Sequence, residues 1–287
     1  MIKLILFSIF RKWVGFFSGR KIGLWKIPLL KAVYHFIFQL ILPKYTEIEG
    51  SKMYTDDCRW SILYSLPGGN PEKYETELFK KNVKDGSVVV DVGANFGFYT
   101  LLAAKLGARW IYAFEPEPKN YNLLTRNIQL NKYKNIIAIQ KAICDRVATT
   151  KMFLSRENPG DHRIYDSGDK RKSIQVNTIT LDQFFEDKMY KVDVIKMDIQ
   201  GSEPLAFLGG GGLIQANETL RIFIEFWPQG IRRSGFSPEE FLQQVSKQGF
   251  KICIIDEQEE SLKSFTNVHD IMKFCQGEGH VNLFLEK

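Results

Sequence analysis

Residues 88–100 read Val-Val-Val-Asp-Val-Gly-Ala-Asn-Phe-Gly-Phe-Tyr-Thr. An apolar, β-branched run ends in an acid, Asp91, and two glycines four apart, Gly93 and Gly97, lead into a segment with helical character. A buried strand that feeds a tight glycine turn at a helix N-terminus gathers backbone N–H groups around a ligand. That unit is stable only as part of a layered α/β sheet, so the rest of the chain can be read outward from it.

Downstream the two periodicities alternate, which implies a parallel sheet with helices on both faces. A strand is expected at 87–92, a helix at 97–106 stopped by Gly107, and a strand at 109–114. A helix at 118–130 and a strand at 135–143 follow. Residues 148–179 break the rhythm: the alternating stretches Thr150–Leu154 and Ser173–Ile179 flank a polar loop, an inserted hairpin. The rhythm resumes with a short helix at Leu181–Glu186, a strand at 192–197 and a helix over 203–214 that contains the run Gly209–Gly212. A strand at 219–226, a helix at 238–247 and strands at 250–255 and 280–285 complete the domain, 87–287.

Upstream, residues 46–86 form a lead-in, with an alternating stretch at Tyr45–Met53, a turn cluster at 67–71 and a helix at Glu72–Val83. Residues 1–45 differ in kind. The chain holds 39 basic and 33 acidic residues, and eight of the basic ones lie in residues 1–44 with no acid, leaving 31 against 33 for the remainder. The basicity therefore belongs to the appendage, and no nucleic-acid footprint spreads over the domain. Within 28–43, Lys31, His35 and Gln39 make a narrow polar stripe on an apolar helix. About 15 residues rise only roughly 22 Å, too short to span a bilayer. Two readings stay open: a helix packed on the domain or a partner, and an interfacial helix in peripheral contact with a membrane. The four cysteines are far apart and form no C-x-x-C pair, which fits reduced thiols in a cytoplasmic protein.

The turn Asp91-x-Gly93-x-Asn95-x-Gly97 lacks the closely spaced glycines that a pyrophosphate requires. An acid at the strand end repels a phosphate and suits a cation such as an α-amino group or a sulfonium. Glu115 follows the next strand 24 residues after Asp91, near the spacing at which an acid accepts from ribose hydroxyls. A carboxylate matches a cis-diol, two acceptor oxygens meeting two O–H donors. Glu117 reads as a first-turn acid. Asp145, after Ala142-Ile143-Cys144, suits either a turn cap or an acceptor for an adenine amine.

Together these residues resemble class I S-adenosylmethionine-dependent methyltransferases, and specifically the FkbM-type family. The resemblance runs from about Tyr74 to Asp256 and is carried by Val90–Gly97, Ala113–Pro116, Lys141-Ala142, Thr180–Asp182, Lys196–Glu203 and Glu225–Pro228. It implies a Rossmann-like seven-stranded sheet, mostly parallel with the last strand antiparallel. It also implies S-adenosyl-L-methionine held by Asp91, Gly93, Asn95, Gly97, Glu115 and Asp145, and transfer to an oxygen of a small-molecule or glycan acceptor.

The acceptor side falls to residues after the fourth and fifth strands. Asp198 and Glu225 end those strands, and close carboxylates push one pKa up, which is how a general base is made. The inserted loop carries His162, Arg163 and Tyr165; His162 suits proton transfer near neutral pH, and Arg163 suits an anionic group. Glu203 is a substrate contact or a cap in the first turn of its helix, and Trp227 a pocket wall. Catalysis is thus expected from His162, Asp198 and Glu225, with no metal, because no ligand set accompanies the two acids. The competing readings are a nicotinamide-dependent oxidoreductase, an RNA or protein methyltransferase, and an inactive membrane-docked scaffold.

Overall fold

In the computed structural model, residues 43–55, 64, 69–156, 158–188, 191–265 and 267–287 are described, with only the backbone of 276–278. The helix expected within residues 1–45 lies outside the described residues. The chain divides into two units, one ending at Pro71 and the other spanning Glu72–Lys287. In the first, β1 (Tyr45–Ile48) and β2 (Ser51–Tyr54) form an antiparallel hairpin.

The second unit begins with α1 (Lys73–Asn82), so the helix of the lead-in belongs with the sheet that follows. The strands of that sheet are β3 (Val88–Val92), β4 (Trp110–Phe114), β5 (Ile136–Ile139), β9 (Val194–Met197), β10 (Arg221–Phe226), β11 (Lys251–Asp256), β12 (Ser261–Ser264) and β13 (Val281–Glu286). Their order is β12-β11-β13-β10-β9-β3-β4-β5. β5, β4, β3, β9 and β10 run parallel, and β13 runs antiparallel between β10 and β11. This is the expected seven-stranded sheet with one edge strand more, β12, whose Ser-Leu-Lys-Ser sequence gives little β signal.

Burial explains why the central strands read as apolar runs. Every residue of β3 is buried, as a parallel strand covered on both faces must be. The helix after it, α2 (Phe98–Lys105), is buried at every position but Lys105. On one face of the sheet, Phe79 of α1 packs against Tyr99 of α2 and Phe223 of β10, with ring centroids 5.0 and 5.5 Å apart. On the other, Tyr112 and Phe114 meet Phe184 and Phe185 of α4 (Leu181–Phe185).

Two expected elements are broken. The strand expected at 135–143 stops at Ile139; β6 (Ala142–Ile143) leaves the main sheet and pairs with β8 (Lys172–Ile179). β8 also pairs antiparallel with β7 (Thr149–Leu154), which makes the insertion a three-stranded sheet. The helix expected at 203–214 is two, α5 (Glu203–Leu208) and α6 (Gly211–Ala216). The glycine run explains the break: a Cβ on Gly209 would lie 2.0 Å from the Cys144 carbonyl oxygen, and Asp182 accepts from the N–H groups of Gly212 and Leu213 to cap α6. The remaining helices are α3 (Pro118–Asn131), α7 (Pro228–Arg233), α8 (Pro238–Lys247) and α9 (Val268–Glu278). α7 is too short, and α9 too close to the end of the apolar pattern, to stand out in the sequence.

Candidate active site

The strand order reverses between β3 and β9, and ligands of open α/β sheets bind outside the carboxyl ends of the strands at such a point. Two turns meet there. A Cβ on Gly93 would lie 2.0 Å from the carbonyl oxygen of Asp198, so the turn after β3 fits the turn after β9 only with glycine at 93. Gly93 and Gly97 also sit at φ 86° and 93°, and Asn95 at 50°.

The N–H groups of this turn are committed within the protein. Those of Gly93 and Ala94 both donate to the Phe114 carbonyl at 2.9 Å, and that of Gly97 to the Ala94 carbonyl at 2.8 Å. The Asn95 N–H donates to Glu115 Oε2 at 2.8 Å, and the Glu117 N–H to Glu115 Oε1 at 2.9 Å. The turn therefore grips the end of β4 and aims Glu115. Burial pushes the Glu115 carboxyl up to about 8, against the pull of those two N–H donors. Each of its oxygens keeps a further lone pair for an O–H donor. Glu117 is a buried N-cap of α3 that accepts from the Asn120 N–H at 2.7 Å.

Asp91 lies inward, 2% exposed, with Oδ2 accepting from Thr100 Oγ at 2.5 Å. Burial raises its carboxyl to about 6, with the Thr100 bond and the Lys196 charge opposing. Asp91 and Lys196 are paired in the β3–β9 register and so share a face of the sheet. Lys196 is 2% exposed; its Nζ stands 2.8 Å from Oε1 of Glu75, which is fully buried on α1, and 5.0 Å over the Tyr99 ring. Asn282 of β13 donates to Glu75 Oε2 and lies 3.5 Å from Glu72, which accepts from the Tyr99 hydroxyl at 3.1 Å.

Met197 pairs with Ile224, so the next residue on each strand, Asp198 and Glu225, stand side by side. Gln200 joins them: its Nε2 donates to Asp198 Oδ1 at 2.8 Å and to Glu225 Oε2 at 2.7 Å. Gln200 reaches back because its backbone is left-handed, φ 57°, and Gly201 follows at φ 96°. Burial raises both carboxyls, Glu225 furthest because Asp198 and Glu203 add to the burial, while the Lys196 charge opposes the rise at both. Glu203 is fully buried and accepts from the Ile199 N–H at 3.0 Å, and burial raises it to about 7; its Oε2 has no partner.

The insertion's loop reaches both ends of this edge. Asn120 of α3 donates to the Pro159 carbonyl at 3.0 Å, and the Tyr165 hydroxyl donates to the Gln200 carbonyl at 2.7 Å. Arg163 is buried, ion-paired to Asp161 at 2.6 Å, and stacked 4.6 Å over the Trp227 ring. Trp227 in turn packs against Gly230, where a Cβ would come within 2.0 Å of the ring. With Arg163 over the indole, Trp227 seats the loop.

The chemistry of this edge has its counterpart in the sequence comparison, where the methyltransferase FkbM domain matches residues 91–252. The chain belongs to the FkbM methyltransferase family. It is similar to methyltransferase 1 of Beauveria bassiana, 26% identical over 181 residues that cover 52% of this chain and 70% of that one. A shorter match, 33% identical over 72 residues, aligns 25% of this chain with 23% of a ribosomal protein L11 methyltransferase from Anoxybacillus flavithermus. Among solved structures it is similar to TYW2 of M. jannaschii in complex with AdoMet, 17% identical with a TM-score of 0.40, over 84% of this chain and 83% of that one.

The methyl donor of this methyltransferase is S-adenosylmethionine, and the residues present fit it. Glu115 offers acceptors to a diol, and Asn95 Oδ1 is a buried acceptor without a partner, suited to an ammonium donor. The N–H groups of Gly93, Ala94, Asn95 and Gly97 have none to spare for the phosphates of a nicotinamide dinucleotide. Among the described residues no group of three or more His, Cys, Asp or Glu side chains is placed to hold a metal ion. No described helix is long and apolar enough to cross a membrane.

Two expected site residues stand in different surroundings from those the sequence suggests. Asp145 follows β6, not a main-sheet strand, and its carboxylate accepts from Arg146 Nε at 3.1 Å. His162 is engaged within the insertion's own loop. Its Nδ1 accepts from the Ser155 N–H at 3.0 Å, so the ring proton sits on Nε2, and burial lowers its pKa. The charges that bear on it most are those of Glu117, Asp161, Arg171 and Lys119. Sequence reasoning assigned no role to Glu72, Glu75, Lys196, Gln200 or Asn282. A lysine inside the apolar run 192–197 is the one signal that was there to find.

Proposed function

We propose that this methyltransferase methylates a hydroxyl oxygen of a small-molecule or glycan acceptor, with Asp198 as the base. The observation that carries the reading is the Gln200 amide shared by Asp198 and Glu225 at the switch-point edge. Two adjacent carboxyls whose environments push their pKa values apart mark an acid–base pair. Here the Lys196 charge opposes the rise at both acids, and Glu225, which Asp198 and Glu203 push up further, is the readier of the two to hold a proton.

S-adenosylmethionine supplies a sulfonium methyl that is already activated. Glu115 would hold its ribose, Asn95 its ammonium group and Asp145 its adenine amine, within the turn that Gly93, Gly97 and Asp91 shape. Asp198 would take the proton of the acceptor hydroxyl as its oxygen receives the methyl group, for which the sulfonium would supply a neutral thioether as leaving group. Alignment of the two reactants is worth roughly 7–11 kcal/mol, and the base a further ~10²–10⁴-fold. The insertion loop, seated through Arg163 on Trp227 and through Tyr165 on Gln200, covers the site, and Glu203 steadies the turn beneath the acceptor.

The test is transfer of tritiated methyl groups by the full-length chain to pools of hydroxylated metabolites, lipid-linked sugars, RNA and protein. Label on a hydroxyl of the first two pools, with Asp198→Asn slowing turnover by about 10²–10⁴-fold at unchanged affinity for S-adenosylhomocysteine, is the expected result. Label confined to RNA or protein would overturn it.

A further inference from the structure

Of the buried pair Lys196–Glu75, only the Lys196 charge, two residues before Asp198 in the chain, enters the reading above, and Glu75 has no role in it. Lys196 is one of the few charged side chains in the sheet's interior, 2% exposed on a strand whose other residues are apolar. Its ion pair with Glu75 measures 2.8 Å, yet neither Lys196 Nζ nor Glu75 Oε1 has an aligned hydrogen bond. A buried ion pair rarely stabilises a fold more than apolar residues of the same volume would, so its presence here calls for another account.

Glu75 is held at this point by three contacts. Glu257, just after β11, accepts from the N–H groups of Tyr74 and Glu75 at 2.8 Å each and so caps α1. Asn282 donates to Glu75, and Tyr99 ties Glu72, the N-cap of the same helix, to α2. All but Tyr99 lie outside residues 91–252, so α1, β13 and the β11–β12 turn complete the site from beyond the matched segment.

We infer that Lys196 and Glu75 are positioning residues that set the ionisation of Asp198: the ammonium holds it charged, and Glu75 draws off part of that influence. The inference rests on Asp198 being the base. The charged and polar groups that face Lys196 are Glu72 and Glu75 from α1, Asp91 from β3, Tyr99 from α2, Asp198 on its own strand and Glu225 from β10; His280, ahead of β13, bears on Asp198. Burial works against the Lys196 charge, and Glu75, Glu72 and Asp198 outweigh it.

Opposite shifts from the two variants distinguish this arrangement from a merely structural pair. The full-length chain labelled with ¹³C at aspartate carboxyls is titrated by NMR, the Asp198 signal being assigned from its loss in Asp198→Asn. Lys196→Met is expected to raise the Asp198 midpoint by about half a unit or more, because loss of a nearby opposite charge disfavours the ionised form. Glu75→Gln is expected to lower it. Midpoints that stay put, or move together, would overturn the inference. If Lys196→Met does not fold, Glu75→Gln decides alone, a fall supporting the inference and anything else refuting it. The titration needs no acceptor and no turnover, so it can fail while methyl transfer stands, and the reverse.

Discussion

A Cβ on Gly93 would stand 2.0 Å from the carbonyl oxygen of Asp198, so the turn after β3 and the turn after β9 lock together at a point that admits no side chain. The glycine is there for packing as much as for ligand approach, and it couples the cofactor turn to the acceptor-side acid. Gly93→Ala therefore carries two penalties: a left-handed φ of 86°, worth roughly 1–2 kcal/mol, and a clash that only backbone movement relieves. We expect unfolding free energy to drop by more than about 2 kcal/mol in urea denaturation, with binding of S-adenosylhomocysteine lost in whatever remains folded. An alanine variant with near wild-type stability would show that the two turns do not meet this way.

Glu115 gives a pH signature. Its carboxyl is raised from 4.5 to about 8 by burial, so between these values the folded chain holds a proton that the unfolded chain has lost. Stability on that account falls as pH rises through the window. Asp91 and Glu203 are raised too, so the effect is read as the difference between wild type and Glu115→Gln: the variant's melting temperature should decline less from pH 5 to 8. A ribose diol donates to the ionised form, so cofactor binding should release a proton below pH 8 in the wild type and not in Glu115→Gln. Calorimetry in buffers of different ionisation enthalpy measures that proton directly.

The strand–turn–helix at 88–105, the acid after β4 and the acids at the ends of β9 and β10 were legible because each is local: a periodicity that ends, a turn, a charged residue at the end of an apolar run. What the sequence hid is what depends on pairing across the sheet. Lys196 faces Asp91 only because β3 and β9 are neighbours in a particular register. Glu75 joins them from a helix more than a hundred residues upstream of Lys196, and Asn282 from the last strand. The break at Gln140-Lys141 was hidden for the same reason, since Ala142-Ile143 is as apolar as the strand before it and leaves the sheet to find β8. His162 is a different case. Its residue type fits a base, but its role depends on which nitrogen a neighbour occupies.

That nitrogen yields a last prediction. With Nδ1 held by the Ser155 N–H, the His162 ring is a donor through Nε2, and its lowered pKa keeps it neutral. A glutamine side-chain oxygen can accept the same N–H. His162→Gln should therefore keep the loop closed and retain turnover within about tenfold, well short of the ~10²–10⁴-fold that removal of a base costs, with the pH–rate profile unmoved. His162→Phe leaves the Ser155 N–H without its partner, at about 1–3 kcal/mol for an unsatisfied buried donor. It should loosen residues 155–165, seen as faster amide exchange there and a raised KM with kcat little changed. A base would give the opposite pattern: both variants equally inactive, and the acidic limb of the profile gone.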